Sequence, residues 1–336
     1  MASIALFLLG ALPCIFAFLL TFLMLKRWIA ISHSLGYAGV DMNKYEKPKV
    51  AEPGGPFVVL GMIVGIFLYL FIGQYFLKNV QNLIEILAVL VVLLLSGYLG
   101  MFDDLLGWKK GLKPWQKPLF TLPFAIPIVV LKLGESKMAL PLIGTVDFGI
   151  LYPLLLVPIG IMGAANGFNM IAGYNGLEAI MGILLFSGVA IKSFLIGEYH
   201  ITIISLITIS SILAFLYFNK HPARIFPGDS FTYPIGALYG SLIIIGNMEK
   251  FGIVLFSLYF LEALLFLRGL KDGIYKENFG IPDENNCLKP PYKKIYSLTH
   301  LSLFLLCKIK KCVRETDVVL FLAVMQLLVL AVALMV

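Results

Sequence analysis

The sequence predicts an all-α polytopic membrane protein with ten transmembrane helices, both termini on the non-cytoplasmic side and a functional face toward the cytoplasm. Three observations carry that reading. Apolar residues make up 60% of the 336 and charged residues 13%, with a mean hydropathy of +0.94. A soluble domain is roughly 45–50% apolar and about 25% charged. Apolar stretches recur at 3–25, 55–76, 82–102, 117–133, 148–166, 177–197, 201–218, 232–247, 250–268 and 317–336, most of them near the roughly 20 residues a helix needs to cross a bilayer. Of the 26 Lys and Arg residues, 21 fall in the loops after odd-numbered stretches, which turns those loops to the cytoplasm by the positive-inside rule.

The first stretch ends in Lys26-Arg27. A cleaved signal peptide places its basic residues first, so 3–25 reads as a retained span. Pro123 and Pro127 interrupt the fourth stretch, and Pro153 and Pro158 the fifth; such breaks are tolerated where neighbouring helices satisfy the freed backbone groups. Residues 139–148 read as a small extended turn. The chain forms a single domain, 1–336, that includes a long basic loop at 269–316. Inside that loop, 295–307 is apolar, only 13 residues long and flanked by lysines; it reads as a helix lying in the membrane interface. Cys14, Cys287, Cys307 and Cys312 match no zinc spacing and are expected to be free thiols. The four histidines form no ligand-spaced cluster. The positive charge is expected to face the bilayer and phosphates, with no nucleic-acid partner.

The polar chemistry lies in the cytoplasmic loops. GYLGMFDDLLGWKKGLKPWQK (97–117) ends an apolar run on Asp103 and Asp104 and follows it with Lys109, Lys110, Lys113 and Lys117. Acids near lipid cost a few kcal/mol each, roughly, so this pair suits cation-assisted chemistry on phosphate. Helix capping with lysine anchors accounts for it equally well. In the first loop, Asp41, Asn43 and Lys44 precede Ala51-Glu52-Pro53-Gly54-Gly55, where glycine admits close backbone approach by a ligand; a plain solvated loop is the alternative. The segment ANGFNMIAGYNGLEA (165–179) carries no Lys or Arg although it lies on the basic side. Asn166 and Asn169, three apart, share a helix face, and amide oxygens are hard ligands suited to Mg²⁺ or Ca²⁺. Asn175-Gly176 allows a tight turn whose exposed backbone groups suit readout of a base edge; a helix C-cap followed by a turn is the alternative. In FNKHPARIFPGDSFTYPIG (218–236), Asp229 stands at a helix start after Pro227-Gly228. That position serves as a cap or a phosphate seat, and Phe226 is placed to stack on a planar ring or to pack. Glu262, inside the ninth stretch, has no partner at helical spacing.

FDD (102–104), NGFNMIAGYNGLEA (166–179) and RIFPGDS (224–230), in that order, resemble the polyprenyl-phosphate N-acetylhexosamine-1-phosphate transferase superfamily over nearly the whole chain. The NGLEA wording is similar to eukaryotic UDP-GlcNAc–dolichyl-phosphate GlcNAc-1-phosphotransferases and their archaeal relatives. The short length and the KPPYKKIYSLTHL segment lean to the archaeal side. The Asp-Gly pair and His-rich last loop of bacterial members are absent. The eukaryotic Arg-His-Arg run is also missing, and Gly107 stands where the family has an Asn. The resemblance implies Asn169 and Asp229 as ligands of Mg²⁺, with Mn²⁺ as a substitute. It implies Asp103 and Asp104 as the essential acidic pair and Lys113 at the donor phosphate. Phe226 would stack on uracil, Asn175 and Gly176 would read its edge, Glu52 would face the nucleotide, and Asn166, Asp41 and Lys44 would add substrate contacts.

The implied reaction moves GlcNAc-1-phosphate from UDP-GlcNAc to dolichyl or another polyprenyl phosphate, giving dolichyl-diphosphate-GlcNAc and UMP. That is the first step of lipid-linked oligosaccharide assembly for N-glycosylation. It would run on the cytoplasmic face of an archaeal cell membrane, or of the ER membrane in a eukaryote, in a monomer or a homodimer. Another UDP-N-acetylhexosamine donor is an alternative within the same chemistry. From other classes, a non-catalytic metal-binding scaffold remains open, and a secondary transporter is the rival; its site would sit near the bilayer midplane between inverted repeats, whereas the polar residues here gather on one side.

Overall fold

Apolar segments buried in lipid satisfy their backbone N–H and C=O groups only by closing them internally, and the long stretches fold as helices accordingly. A computed structural model describes residues 7–76, 82–107, 111–113, 115–141 and 143–336. Lys78, Lys109 and Lys110, counted with the charged loops above, lie outside the described residues. The helices are α1 (Leu12–Ser32), α2 (Gly55–Phe76), α3 (Leu83–Leu106), α4 (Gln116–Val130), α5 (Tyr152–Met170), α6 (Leu177–Ile196), α7 (Tyr199–Asn219), α8 (Asp229–Ile245), α9 (Glu249–Leu255), α10 (Ser257–Lys271), α11 (Leu298–Leu306) and α12 (Glu315–Leu334). Among the described residues seven helices are long and apolar enough to cross a membrane, and the α9–α10 pair, bent by 56°, raises the number to eight. The chain is a helical membrane protein. α4 is short and carries a 3-10 turn at Leu122–Ala125 that contains Pro123 and is followed by Pro127, and α8 has 17 residues.

Three antiparallel hairpins connect helices: β1 (Ala38–Val40) with β2 (Lys49–Ala51), β3 (Lys137–Leu140) with β4 (Gly144–Asp147), and β5 (Ile281–Pro282) with β6 (Leu288–Lys289). The second is the extended turn expected near 139–148. α8 is the centre of the bundle, buried at every position from Ser230 to Ile245 and packed on α3 and α5. Small residues make this closeness feasible. A Cβ on Gly100 of α3 would stand 2.5 Å from the backbone of Asp229 and Ser230, and one on Gly236 would run into the backbone of Ala164 and Ala165.

Hydrogen bonds tie one set of helix ends together: the C-terminal ends of α3, α5, α7 and α10 with the N-terminal ends of α2, α4, α6, α8 and α12. At the opposite end His200 of α7 lies 2.9 Å from Glu85 of α3, and Tyr152 donates to Glu249. α11 is a nine-residue helix capped by Ser297, whose Oγ accepts from the Thr299 N–H; it is too short to cross a bilayer. Glu262 finds its partners here, pairing with buried Lys276 and accepting from Ser297 Oγ at 3.1 Å and Leu298 N at 2.7 Å.

One expectation is overturned. Cys287 and Cys312 form a disulfide, leaving Cys14 and Cys307 as the free thiols. The cause is a non-local pairing: Leu288 N–H donates to Val313 O at 2.8 Å, which brings the two cysteine Cα atoms within 5.0 Å, inside bridging range. The unreduced protein, unfolded in denaturant and treated with a maleimide, is expected to take up two labels per chain rather than four. Reduction is expected to cost about 2–4 kcal/mol of stability, read as a lower Tm in detergent. Four labels without reductant would overturn the pairing.

Candidate active site

The first turn of α8 begins beside the last turn of α3. A helix N-terminus carries backbone N–H groups with no partner inside the helix, and Gly228, its N-cap, has no side chain to offer. Asp104 of α3 fills that role from across the interface. Its Oδ1 accepts from Asp229 N at 2.7 Å, and its Oδ2 accepts from Ser230 N at 3.0 Å and from Ser230 Oγ. Gly228 holds φ at +73°, and a Cβ there would strike the Asp104 carboxylate, so the Pro-Gly-Asp sequence suits this joint.

Adjacent helix positions point about 100° apart, so Asp103 faces elsewhere. It is 7% exposed, accepts from the Leu112 N–H, and approaches Asp229. Lys117 of α4 lies between the two acids, with Nζ 2.6 Å from Asp229 Oδ2 and 3.2 Å from Asp103 Oδ2. Asn169, on the last turn of α5, donates to Asp229 Oδ1 at 3.0 Å. Asn166 is directed away from this group, donating to Thr121 Oγ1 at 2.7 Å and Met162 O at 2.9 Å. Lys113 is exposed, and its backbone N–H is bonded to Gln116 Oε1 at 2.8 Å. The lysine brought to the acids is therefore Lys117. The α5 end that carries Asn169 is itself tied down: Asn278 donates to Met170 O at 2.9 Å and Ala172 O at 2.6 Å, and Lys276 donates to Met170 O at 3.2 Å.

A short parallel pairing closes one side. Phe226 N donates to Ala51 O, and Gly54 N to Phe226 O, both at 2.8 Å. This sets Glu52 and Phe226 together against Gly39 of β1, where a Cβ would meet both side chains. Burial, and then the charge of Asp229, push the Glu52 carboxyl up to about 7.

β1 leads from there into a second polar cluster. Asn175 is 6% exposed, donating from Nδ2 to Asp41 Oδ2 at 3.0 Å and from its backbone N to Glu315 Oε1 at 2.6 Å. Gly176 N donates to Asn219 Oδ1 at 3.0 Å, and Gly173 N to Glu178 Oε1 at 2.7 Å. Lys44 pairs with Glu315 and lies 3.5 Å from Asp41. A cavity of about 320 Å³ adjoins this second cluster, lined by Asp41, Lys44, Lys49, Val50 and Pro222, rather than lying over Asp229. Sequence reading did not find Glu315 or Asn219. Glu315 opens α12 with no motif around it, and Asn219 closes α7 five residues before RIFPGDS.

Among the described residues no three His, Cys, Asp or Glu side chains form a ready-made metal cage. Asp103, Asp229 and Asn169 nonetheless offer two carboxylates and an amide at one point. That hard-oxygen set fits a cation such as Mg²⁺, which is usually held by one or two carboxylates plus substrate phosphates.

Residues 86–247 match the family model described as glycosyl transferase family 4. A protein of Saccharolobus solfataricus, provisionally named a UDP-N-acetylglucosamine–dolichyl-phosphate N-acetylglucosaminephosphotransferase, is 33% identical over 296 residues, with 86% of each chain covered. A protein of Sulfolobus acidocaldarius with the same provisional name is 32% identical, again with 86% of each chain covered. A phospho-N-acetylmuramoyl-pentapeptide-transferase of Streptococcus thermophilus is 28% identical over 74% of this chain and 75% of its own.

Asp104→Ala leaves the start of α8 uncapped and is expected to cost about 1–3 kcal/mol, read as a lower Tm in detergent; an unchanged Tm would refute the cap. Glu52 in the metal-free protein holds its proton up to about pH 7, against about 4.3 in the unfolded chain. The folded state therefore binds more protons between those values, and Tm is expected to fall as pH rises from about 5 to about 8. Glu52→Gln is expected to flatten that slope; an identical slope would remove Glu52 as its source.

Proposed function

Because the chain belongs to glycosyl transferase family 4, we propose that it transfers GlcNAc-1-phosphate from UDP-GlcNAc to a polyprenyl phosphate, dolichyl phosphate in the first instance, releasing UMP. The observation that carries this reading is the meeting of Asp103, Asn169, Asp229 and Lys117 where four helices end. A reaction among phosphates is limited by charge and by positioning, which such a set addresses.

An oxygen of the lipid phosphate attacks the sugar-bearing phosphorus of the donor. The bond from that phosphorus to the bridging oxygen breaks, and UMP leaves with that oxygen. The attacking phosphate is already anionic near neutral pH, so proton removal is a minor demand. Asp103, Asp229 and Asn169 would hold Mg²⁺, with Mn²⁺ as a substitute. When bound, the cation screens the donor diphosphate and polarises its oxygens. Lys117 balances the two carboxylates and offers a second positive charge to the phosphates. Lys113, exposed in the loop before α4, is free to reach a donor phosphate. Phe226 and Glu52 take the uridine end, with the Asn175–Gly176 turn beside them, while Asp104 acts as a positioning residue through α8.

The ten-crossing topology follows when α4, α8 and the α9–α10 pair are counted with the seven long helices. Helix ends then alternate at the site, and the loops that meet there carry most of the Lys and Arg. This favours a cytoplasmic site, termini on the other side, and a single domain over 1–336 with α11 lying along the inner interface. A transporter site would sit near the midplane; the acids here stand at helix ends.

Purified protein given UDP-GlcNAc, Mg²⁺ and a polyprenyl phosphate is expected to release UMP, and chelation by EDTA is expected to stop it. Asp229→Asn is expected to lower turnover about 100-fold or more, with folding retained by thermal denaturation. Release near the wild-type rate in that variant would reject the metal assignment.

A further inference from the structure

Three cytoplasmic-side segments far apart in sequence converge on one side chain that the proposed chemistry does not use. Glu315 opens α12 and is 3% exposed. Its Oε1 accepts from the backbone N–H of Asn175 at 2.6 Å, while its Oε2 pairs with Lys44 and lies 3.2 Å from His221 Nδ1. Asp41 joins the same group through Lys44 and through the side chain of Asn175. A carboxylate removed from water is costly unless its lone pairs are met, and every partner of Glu315 comes from a loop rather than from its own helix. The group is therefore an anchor for those loops. α12 supplies the fixed point, since its buried residues pack on α6, α9 and α11.

The consequence falls on the turn at 173–178. Three of its backbone N–H groups are bonded to side chains: Gly173 to Glu178, Asn175 to Glu315 and Gly176 to Asn219. Two of those acceptors lie inside or next to the turn's neighbouring helices. Of the three acceptors, Glu315 alone reaches it from the far end of the sequence, and it also pairs with Lys44, which Asp41 approaches from its other side at 3.5 Å. Asn43 completes the joint by donating to Gly173 O at 2.8 Å.

We propose that Glu315 is a positioning residue for donor binding: it holds the Asn175–Gly176 turn and Lys44 in one arrangement at the nucleotide end of the site. This rests on the proposed function, in which that turn lies beside the uridine end; it extends that end to Lys44 and adds a residue to which no motif pointed. A rigid turn lowers the ordering cost that substrate would otherwise meet, so removing the anchor acts on donor affinity more than on the chemical step.

The test compares Glu315→Ala and Glu315→Gln with wild type in detergent or nanodiscs, by hydrogen exchange and by UMP-release kinetics with UDP-GlcNAc and polyprenyl phosphate varied separately. In Glu315→Ala, exchange at the 173–177 amides is expected to rise while α3 and α8 stay protected. The KM for UDP-GlcNAc is expected to rise about tenfold, with kcat within about threefold and the lipid KM unchanged. Glu315→Gln keeps an oxygen for the Asn175 N–H but loses the charge that holds Lys44. It should keep the protection at 173–177 and show a smaller rise in the donor KM, and it decides the case if the alanine variant unfolds. Unchanged exchange at 173–177 in Glu315→Ala, a raised exchange with an unchanged donor KM, or equal rises in both KM values would each overturn the assignment. If wild type releases no UMP from UDP-GlcNAc, the proposed function fails by itself, and the claim that Glu315 orders the turn is still decided by exchange.

Discussion

The joint between α3 and α8 sets the site. α8 is buried along its whole length after its first residue, so its N-terminal N–H groups have little water to turn to. The carboxylate of Asp104 meets them from the neighbouring helix, at a distance that only a glycine at position 100 allows. Once that bond is made, the next residue back on α3, Asp103, is fixed beside Asp229. Two carboxylates so close repel each other unless a cation stands between them, and Lys117 supplies one. Neutralising an unused helix end thus assembles the acidic centre as a by-product.

The same logic recurs around it. Lys276 and Asn278 meet the carbonyls that close α5, which steadies Asn169. Glu262 holds Lys276 and the start of α11 at once. Glu315 gathers the loops before α2, α6 and α8. Each of these buried charges, Glu262 from mid-helix and the others at a helix end or in a connection, meets unpaired backbone or side-chain groups that lipid or apolar packing would penalise. The result is a set of polar joints around the candidate site, each tied to a helix end or a connecting loop.

Much of the site was legible as motif. Asp103 and Asn169 stand out because acids and amides are costly at the ends of apolar runs, Asp229 enters through the resemblance carried by RIFPGDS, and the three side chains do meet around Lys117. Span limits drawn from hydropathy were short at the functional ends: the third stretch was ended at 102 and the fifth at 166, whereas α3 runs to Leu106 and α5 to Met170. Hydropathy falls at polar residues, but the helix continues when another element pairs them. The resemblance points to Lys113 and not to Lys117, four residues and about one helical turn further on. Only the start of α4 at Gln116 puts the second one over the acids.

The sequence by itself determined the class of protein, its long apolar helices and the polar residue types at their ends, because hydropathy and local motif are properties of neighbouring residues. Which acid caps α8 and which meets Lys117, the pairing of Cys287 with Cys312, and the meeting of Glu315 with Asn175 were decided only in three dimensions. Those outcomes depend on contacts between segments up to 140 residues apart, and nothing in either segment alone encodes the distance between them.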